Sequence, residues 1–157
     1  MVEKVILSWS GGKDSAMALR ELLRDPRYEV TSLLTTITKG YDRVSMHGVR
    51  LSLLDRQAEM LGLPLVKVSI PQAPTNEQYE SAMREVLERQ RNEGVTAVAF
   101  GDIFLDDIRR YREEKLSQLA MKAIFPIWNK DTRELAQEFI NAGFRAILTC
   151  VDSKQLD

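Results

Sequence analysis

Cysteine is nearly missing from this chain: of 157 residues, only Cys150 carries a thiol. An intramolecular disulfide and an all-cysteine zinc site are therefore excluded. Neither sign of charge dominates, with 22 Lys and Arg against 23 Asp and Glu and a formal net charge of −1. A global basic field is absent, so net charge gives a nucleic-acid partner no support; RNA binding would need a local patch. No apolar run approaches the roughly 18 residues of a membrane span. Met1 leads almost at once into a strand-like run, without the basic and apolar regions of a secretion leader. The expected compartment is the cytoplasm, with no membrane partner.

What remains has the balance of a folded domain, 44% hydrophobic and 29% charged. A chain of this length is expected to form one domain, residues 1–157, that buries roughly 70% of its unfolded surface. No repeat, low-complexity tract or interdomain linker interrupts it.

Short apolar runs alternate with helical spacing along the chain. Val5 to Ser8 reads as a strand, and Ala16, Leu19, Leu22 and Leu23 as one side of a helix. Tyr28 to Ile37 is a second strand after Asp25-Pro26, and the polar stretch from Lys39 to Gly48 reads as a loop of functional length. Leu51, Leu54, Ala58 and Leu61 mark a helix stopped by Gly62 and Pro64. Leu65 to Ile70 is a third strand. Thr75 and Gln78 form a capping box for a helix whose apolar face holds Tyr79, Met83, Val86 and Leu87. Val95 to Phe100 is a fourth strand, and a helix is expected from Leu105 to about Met121. Ala123 to Trp128 reads as a fifth strand interrupted by Pro126. Asp131 and Glu134 start a last helix with Leu135, Phe139 and Ile140 facing inward, and Arg145 to Val151 reads as a sixth strand. This alternation predicts βαβ units in a mostly parallel sheet of five to six strands, with ligand at the strands' carboxyl ends.

The stretch with the most chemistry is the first strand with its sequel, Ser8-Trp9-Ser10-Gly11-Gly12-Lys13-Asp14-Ser15. A strand that breaks at two glycines and restarts as a helix aims that helix's unpaired amides and positive dipole end at the turn. The result is an anion site, to which Lys13 adds a charge and Ser10 and Ser15 add hydroxyls. The anion is most simply a phosphate. A Walker-type loop would need Ser or Thr after the lysine, where Asp14 stands, and the dinucleotide G-x-G-x-x-G also fails. Ser10 to Ser15 instead resembles the S-G-G-x-D-S loop of the PP-loop ATP pyrophosphatases, which grip the β,γ-pyrophosphate of ATP while AMP is transferred.

Further motifs follow in order: Met46-His47-Gly48-Val49, Phe100-Gly101-Asp102-Ile103, Arg109 to Glu114, Pro126-Ile127-Trp128 and Leu148-Thr149-Cys150-Val151. Together with the loop they resemble the diphthine–ammonia ligase family, in particular its bacterial ATP pyrophosphatase relatives, over essentially the whole chain. The resemblance implies a three-layer, Rossmann-like α/β fold of the adenine nucleotide alpha hydrolase (HUP) type. It also implies ATP with Mg²⁺, activation of a carboxylate as acyl-AMP with release of pyrophosphate, and amide formation with ammonia. Diphthine is the family's acceptor; that of this chain stays open. A homodimer is allowed. The family pattern runs on into a glycine- and glutamate-rich segment, whereas this sequence stops at Asp157, so it reads as a shortened form expected to bind ATP.

Candidate residues follow from motif and position. Lys13 would neutralise pyrophosphate charge as it grows in the transition state. Asp14 would hold Mg²⁺ or cap the first helix, and Asp102 would hold metal, position the acceptor or cap the helix after it. Ser8, Ser10, Gly11, Gly12, Ser15, Thr35, Thr36, Ile37 and Gly101 complete the expected ATP contacts, with Thr35 and Ile37 near adenine. His47, the sole histidine, has an expected catalytic role on the acceptor side, where Tyr41 and Arg43 share its loop. Arg109 is either an anionic-substrate contact or one half of an i,i+4 pair with Glu113. Trp9 and Trp128 read as core or cleft-wall aromatics, and Cys150 as a small buried hydrophobe. Two rival readings are a non-catalytic nucleotide-binding module and a tRNA-modifying PP-loop enzyme. The second is disfavoured by the balanced charge and the lone cysteine, because many sulfur-inserting members use a cysteine pair.

Overall fold

A computed structural model describes residues 1–45 and 47–154. Met46, part of one family motif, lies outside the described residues. Five strands, β1 (Glu3–Ser8), β2 (Tyr28–Thr38), β3 (Leu65–Ile70), β4 (Ala97–Ala99) and β5 (Lys122–Ile124), form one sheet in the order β3-β2-β1-β4-β5. Every neighbouring pair is parallel. The helices are α1 (Lys13–Arg24), α2 (Leu51–Leu61), α3 (Asn76–Asn92), α4 (Asp106–Ser117) and α5 (Thr132–Asn141). None of the described helices is long and apolar enough to cross a membrane.

Successive strand residues point to opposite faces, and the two cores record this. Val5 and Leu7 of β1 pack with Ala18, Leu19 and Leu22 of α1 and with Leu54 and Ala58 of α2. Between them, Ile6 points the other way, into a core with Val86 and Leu87 of α3 and Leu116 of α4. A third cluster packs α5 onto α1 through Met17, Ile127, Leu135 and Phe139. The sheet is thus sandwiched between two helical layers, the expected three-layer α/β arrangement. The chain winds outward from β1 to β3 and then crosses back to β4, so the reversal in strand order falls between β1 and β4. Their carboxyl ends diverge there into opposite layers and leave a crevice.

Local signals act where they are expected. Thr75 accepts from the Gln78 amide at 3.2 Å while the Gln78 side chain accepts from the Thr75 amide at 3.0 Å, a complete capping box for α3. Gly62 ends α2 in the left-handed conformation at φ 67°, and Asp131 caps α5 through the amides of Arg133 and Glu134.

Four expectations fail at the carboxyl-terminal side. Residues 144–151 form no strand and are exposed. Their composition favours a strand, but a strand needs a ladder partner, and the outermost strand β5 is only three residues long. Cys150 is consequently exposed rather than buried. Ile140 is 63% exposed, because it sits one residue, or about 100°, round the helix from the inward Phe139. The fifth strand also ends earlier than expected, at Ile124, and Pro126 opens a turn instead.

Leu135 is wholly buried and carries the α1–α5 contact. Leu135→Ala should cost about 2–5 kcal/mol in urea unfolding through the cavity it leaves. A smaller change would mean that α5 is not part of the cooperative core.

Candidate functional site

β1 ends at Ser8, and the Trp9 amide extends the sheet by donating to the Leu34 carbonyl at 2.8 Å. The chain then turns at Gly11, whose φ of 78° suits glycine. Gly12 is the N-cap of α1, and no side chain caps this helix end. The first-turn amides are therefore left for solvent or a ligand, at the end where the helix dipole is positive. The Ser15 hydroxyl donates to the Gly12 carbonyl at 3.0 Å and lies 3.2 Å from the Ser10 hydroxyl. The Lys13 ammonium pairs with the Asp14 carboxylate, and both side chains stay partly exposed.

Gly101 supports this turn from behind. A β-carbon there would lie 2.9 Å from the Asp14 carbonyl carbon and 3.0 Å from the Ser15 nitrogen. The end of β4 therefore touches the backbone of the first turn of α1, and only glycine leaves room. Gly101 positions the helix start and does not itself line the crevice.

The crevice at the strands' carboxyl ends is a cleft of about 780 Å³, within the usual size of a small-ligand site. Ser8, Trp9, Ser10, Thr35, Thr36, His47 and Asp102 line it, together with residues of α3 and α4. Gly11, Gly12, Lys13, Asp14 and Ser15 do not line the cleft; they continue from Ser10 into α1. Thr35 is 3% exposed and its Oγ1 is the one buried side-chain polar atom among the described residues with no hydrogen-bond partner. A buried hydroxyl left this way marks a place for a water or ligand atom.

Other expected residues fall elsewhere. Ile37 does not line the cleft; it bridges to Val44. Tyr41 and Arg43 line an adjoining hollow of about 390 Å³ that shares Thr38, Val44, Ser45 and Ala73 with the cleft. Arg109 makes its i,i+4 pair with Glu113 at 2.8 Å and stacks over Phe125 and Trp128, outside the cleft. Trp9 is both core and cleft wall.

Two other arginines do line the cleft, Arg84 and, beside Asp102, Arg112. The Nε of Arg112 donates to Asp102 at 2.6 Å, and the guanidinium lies 4.1 Å from the centroid of the Phe100 ring. Asp102 is thereby committed to Arg112, and it does not cap α4, whose N-cap is Leu105. Also on the cleft wall, and partly exposed, Glu80 accepts from Lys115 at 2.9 Å and from the Tyr111 hydroxyl at 3.1 Å. The Lys115 hydrogen bond is the main cause holding the Glu80 carboxyl below its usual range. Burial pushes the Tyr79 phenol up, with the Arg112 charge pulling the other way, and burial followed by the Glu80 hydrogen bond does the same to Tyr111. None of Arg112, Glu80, Tyr111 or Lys115 stands out from the sequence as a site residue. The signal is nevertheless present: Ile108, Tyr111, Arg112 and Lys115 recur at helical spacing within an otherwise solvated-looking charge run. Among the described residues, no group of three or more His, Cys, Asp or Glu is gathered to cage a metal.

The family model for the diphthamide synthase N-terminal domain matches residues 3–123, from β1 into β5. The chain belongs to this family. It is a diphthine–ammonia-ligase-like protein of the PP-loop superfamily, as its loop and topology indicate. None of the curated proteins matches the chain. Among solved structures, a similar one is the U34-tRNA thiolase NcsA from Methanococcus maripaludis with its 4Fe-4S cluster. It is 20% identical, with 95% of this chain aligned to 61% of that one at a TM-score of 0.49. The chain thus spans less than two thirds of the thiolase's length.

The packing around Gly101 and Glu80 is open to direct measurement. Gly101→Ala should lower stability by about 1–3 kcal/mol, as expected of overpacking against backbone, in denaturant unfolding; an unchanged midpoint would show that the helix start is not pinned. A depressed Glu80 carboxyl adds stability above the ordinary carboxylate range near 4.3, and that stability is lost as pH falls through the folded-state pKa. Lys115→Met should therefore move the Glu80 titration upward in carbon-13 NMR and flatten the acid limb of the stability curve.

Proposed function

We propose that this domain binds ATP across the cleft and transfers AMP to a carboxylate, as an ATP pyrophosphatase of the diphthine–ammonia ligase type. The observation that carries the reading is the turn from β1 into α1, where an uncapped helix start, the Ser10 and Ser15 hydroxyls and the partly exposed Lys13 follow directly on a nucleotide-sized cleft at the reversal of strand order. The β,γ-phosphates would lie against residues 10–15. The nucleoside would extend past Thr35 and Thr36, where the unpartnered Thr35 hydroxyl offers a hydrogen bond.

In the reaction, a carboxylate oxygen of the acceptor forms a bond to the α-phosphorus while the α–β anhydride bond breaks. Pyrophosphate leaves with that electron pair. Ammonia then bonds to the acyl carbon, AMP leaves, and the surplus proton passes to solvent. Charge grows on the leaving pyrophosphate, so fixed amides and Lys13 act where the transition state needs them. The first-turn amides need no reorganisation, because Gly101 already fixes the helix start.

Magnesium, which usually binds through one or two carboxylates plus phosphate oxygens, would neutralise phosphate charge here. Asp14 suits this role, since its carboxylate is about half exposed beside the phosphate turn and its pair with Lys13 would open as both meet the phosphates. Asp102 suits it less well, because Arg112 already holds its carboxylate; its part would be to fix Arg112 toward the acceptor. His47 is exposed at the cleft's rim and would meet the acceptor from that side.

Lys13→Ala should reduce pyrophosphate release from Mg–ATP by about 100-fold or more while leaving the unfolding midpoint nearly unchanged. The measurement is a coupled pyrophosphate assay with candidate carboxylates and ammonium. Wild-type turnover in that variant would remove the loop from the chemistry. Tight ATP retention by wild type without any pyrophosphate would identify a binding module instead.

A further inference from the structure

Between the two glycines of the loop lies a peptide group with little of its own to hold it. Gly11 and Gly12 both lack a β-carbon, so their shared peptide plane can rotate more freely than any other in the turn. Its orientation matters greatly. In a trans peptide the carbonyl and the N–H point in opposite directions, so the side facing an anion presents either a donor or a negative oxygen. The Gly12 N–H has one intramolecular partner, the Ser10 hydroxyl, at a long 3.3 Å. That contact alone holds the plane weakly.

A second hold comes from α2, through a side chain that is itself engaged at both ends. Gln57 is half-buried on that helix, and its Nε2 donates to the Gly11 carbonyl at 3.2 Å. Its Oε1 accepts from the Trp9 indole at 2.9 Å. Both ends of one side-chain amide are thus engaged, which fixes the rotamer and the amide's orientation together. Contact is tight enough that a β-carbon on Gly11 would lie 2.8 Å from Gln57 Oε1 and 3.2 Å from Leu54 Cδ1. With the carbonyl drawn toward α2, the opposite edge of the same peptide, the Gly12 N–H, is turned away from α2 and toward Ser10.

We infer that Gln57 is a positioning residue that locks the Gly11–Gly12 peptide with its N–H, not its carbonyl, toward the phosphate. This rests on the reading that residues 10–15 hold the phosphates of ATP. The same lock joins the two halves of the site. α2 begins directly after the loop that carries Tyr41, Arg43 and His47, and the Leu51 amide at its start donates to the Asp42 carbonyl at 2.9 Å. A shift of that loop on meeting an acceptor would reach the phosphate turn through two turns of helix and a single amide.

The test compares binding of Mg–ATP and of adenosine by calorimetry in wild type, Gln57→Met and Trp9→Phe. Gln57→Met is neutral and of similar length but makes neither hydrogen bond. It should weaken ATP about tenfold, the equivalent of one well-placed hydrogen bond, and change adenosine by less than about twofold. Trp9→Phe frees the Gln57 amide to rotate without removing its donor to Gly11, so it should weaken ATP in the same direction and by less than Gln57→Met. A merely structural role would weaken both ligands together, and that result, or equal ATP binding by Gln57→Met and wild type, would overturn the inference while leaving the phosphate reading intact. Wild type that binds ATP no more tightly than adenosine would instead remove the phosphate reading, and the inference with it.

Discussion

The close approach of β4 to the start of α1 is the constraint from which the rest of the site follows. Two backbones meet there at a separation that admits no side chain at Gly101. Because β1 and β4 are parallel neighbours whose helices leave on opposite faces, the amino end of α1 has to sit in the gap between them. The fold thus presents a ring of amides and a dipole end at one defined place, before any ligand arrives. Positioning of this kind is the main thing a phosphoryl-transfer protein can offer, since little covalent chemistry falls to its own side chains.

Around that fixed point the charges are already matched. Asp102 with Arg112, and Glu80 with Lys115, put two ion pairs into a cleft whose other walls are largely aromatic and aliphatic. Such pairs contribute little to stability when partly exposed. Their value lies in holding long side chains still. Arg112, clamped by Asp102 and lying against Phe100, keeps its cationic face at a defined depth, and the Tyr79 and Tyr111 phenols remain protonated donors well above neutral pH.

Legibility in the sequence tracked how local each feature is. The turn at Ser10 to Ser15 is one continuous stretch, so its residue types and their spacing state its shape directly. The capping box at Thr75 and the stop at Gly62 are of the same kind. Features that depend on which face of an element meets which neighbour were harder to read. Arg109 and Arg112 differ by three residues on α4, yet one packs on Phe125 and Trp128 and the other enters the cleft. Gln57 carries no signal in the sequence; only the fold brings it to Trp9 and Gly11, more than forty positions away. The run from Arg145 to Val151 misled for the complementary reason, because β-branched composition says a strand is favoured without saying that a ladder is available.

The two borders of the sheet are guarded in the same manner. β3 carries Lys67, held to Asp55 at 2.7 Å, and β5 carries Lys122, held to Glu3 at 2.9 Å. Lysine on an outer strand hinders lateral pairing with another chain, and a border of three residues at β5 offers little template for it. Edge-to-edge addition of a further strand is therefore disfavoured at both borders of the sheet.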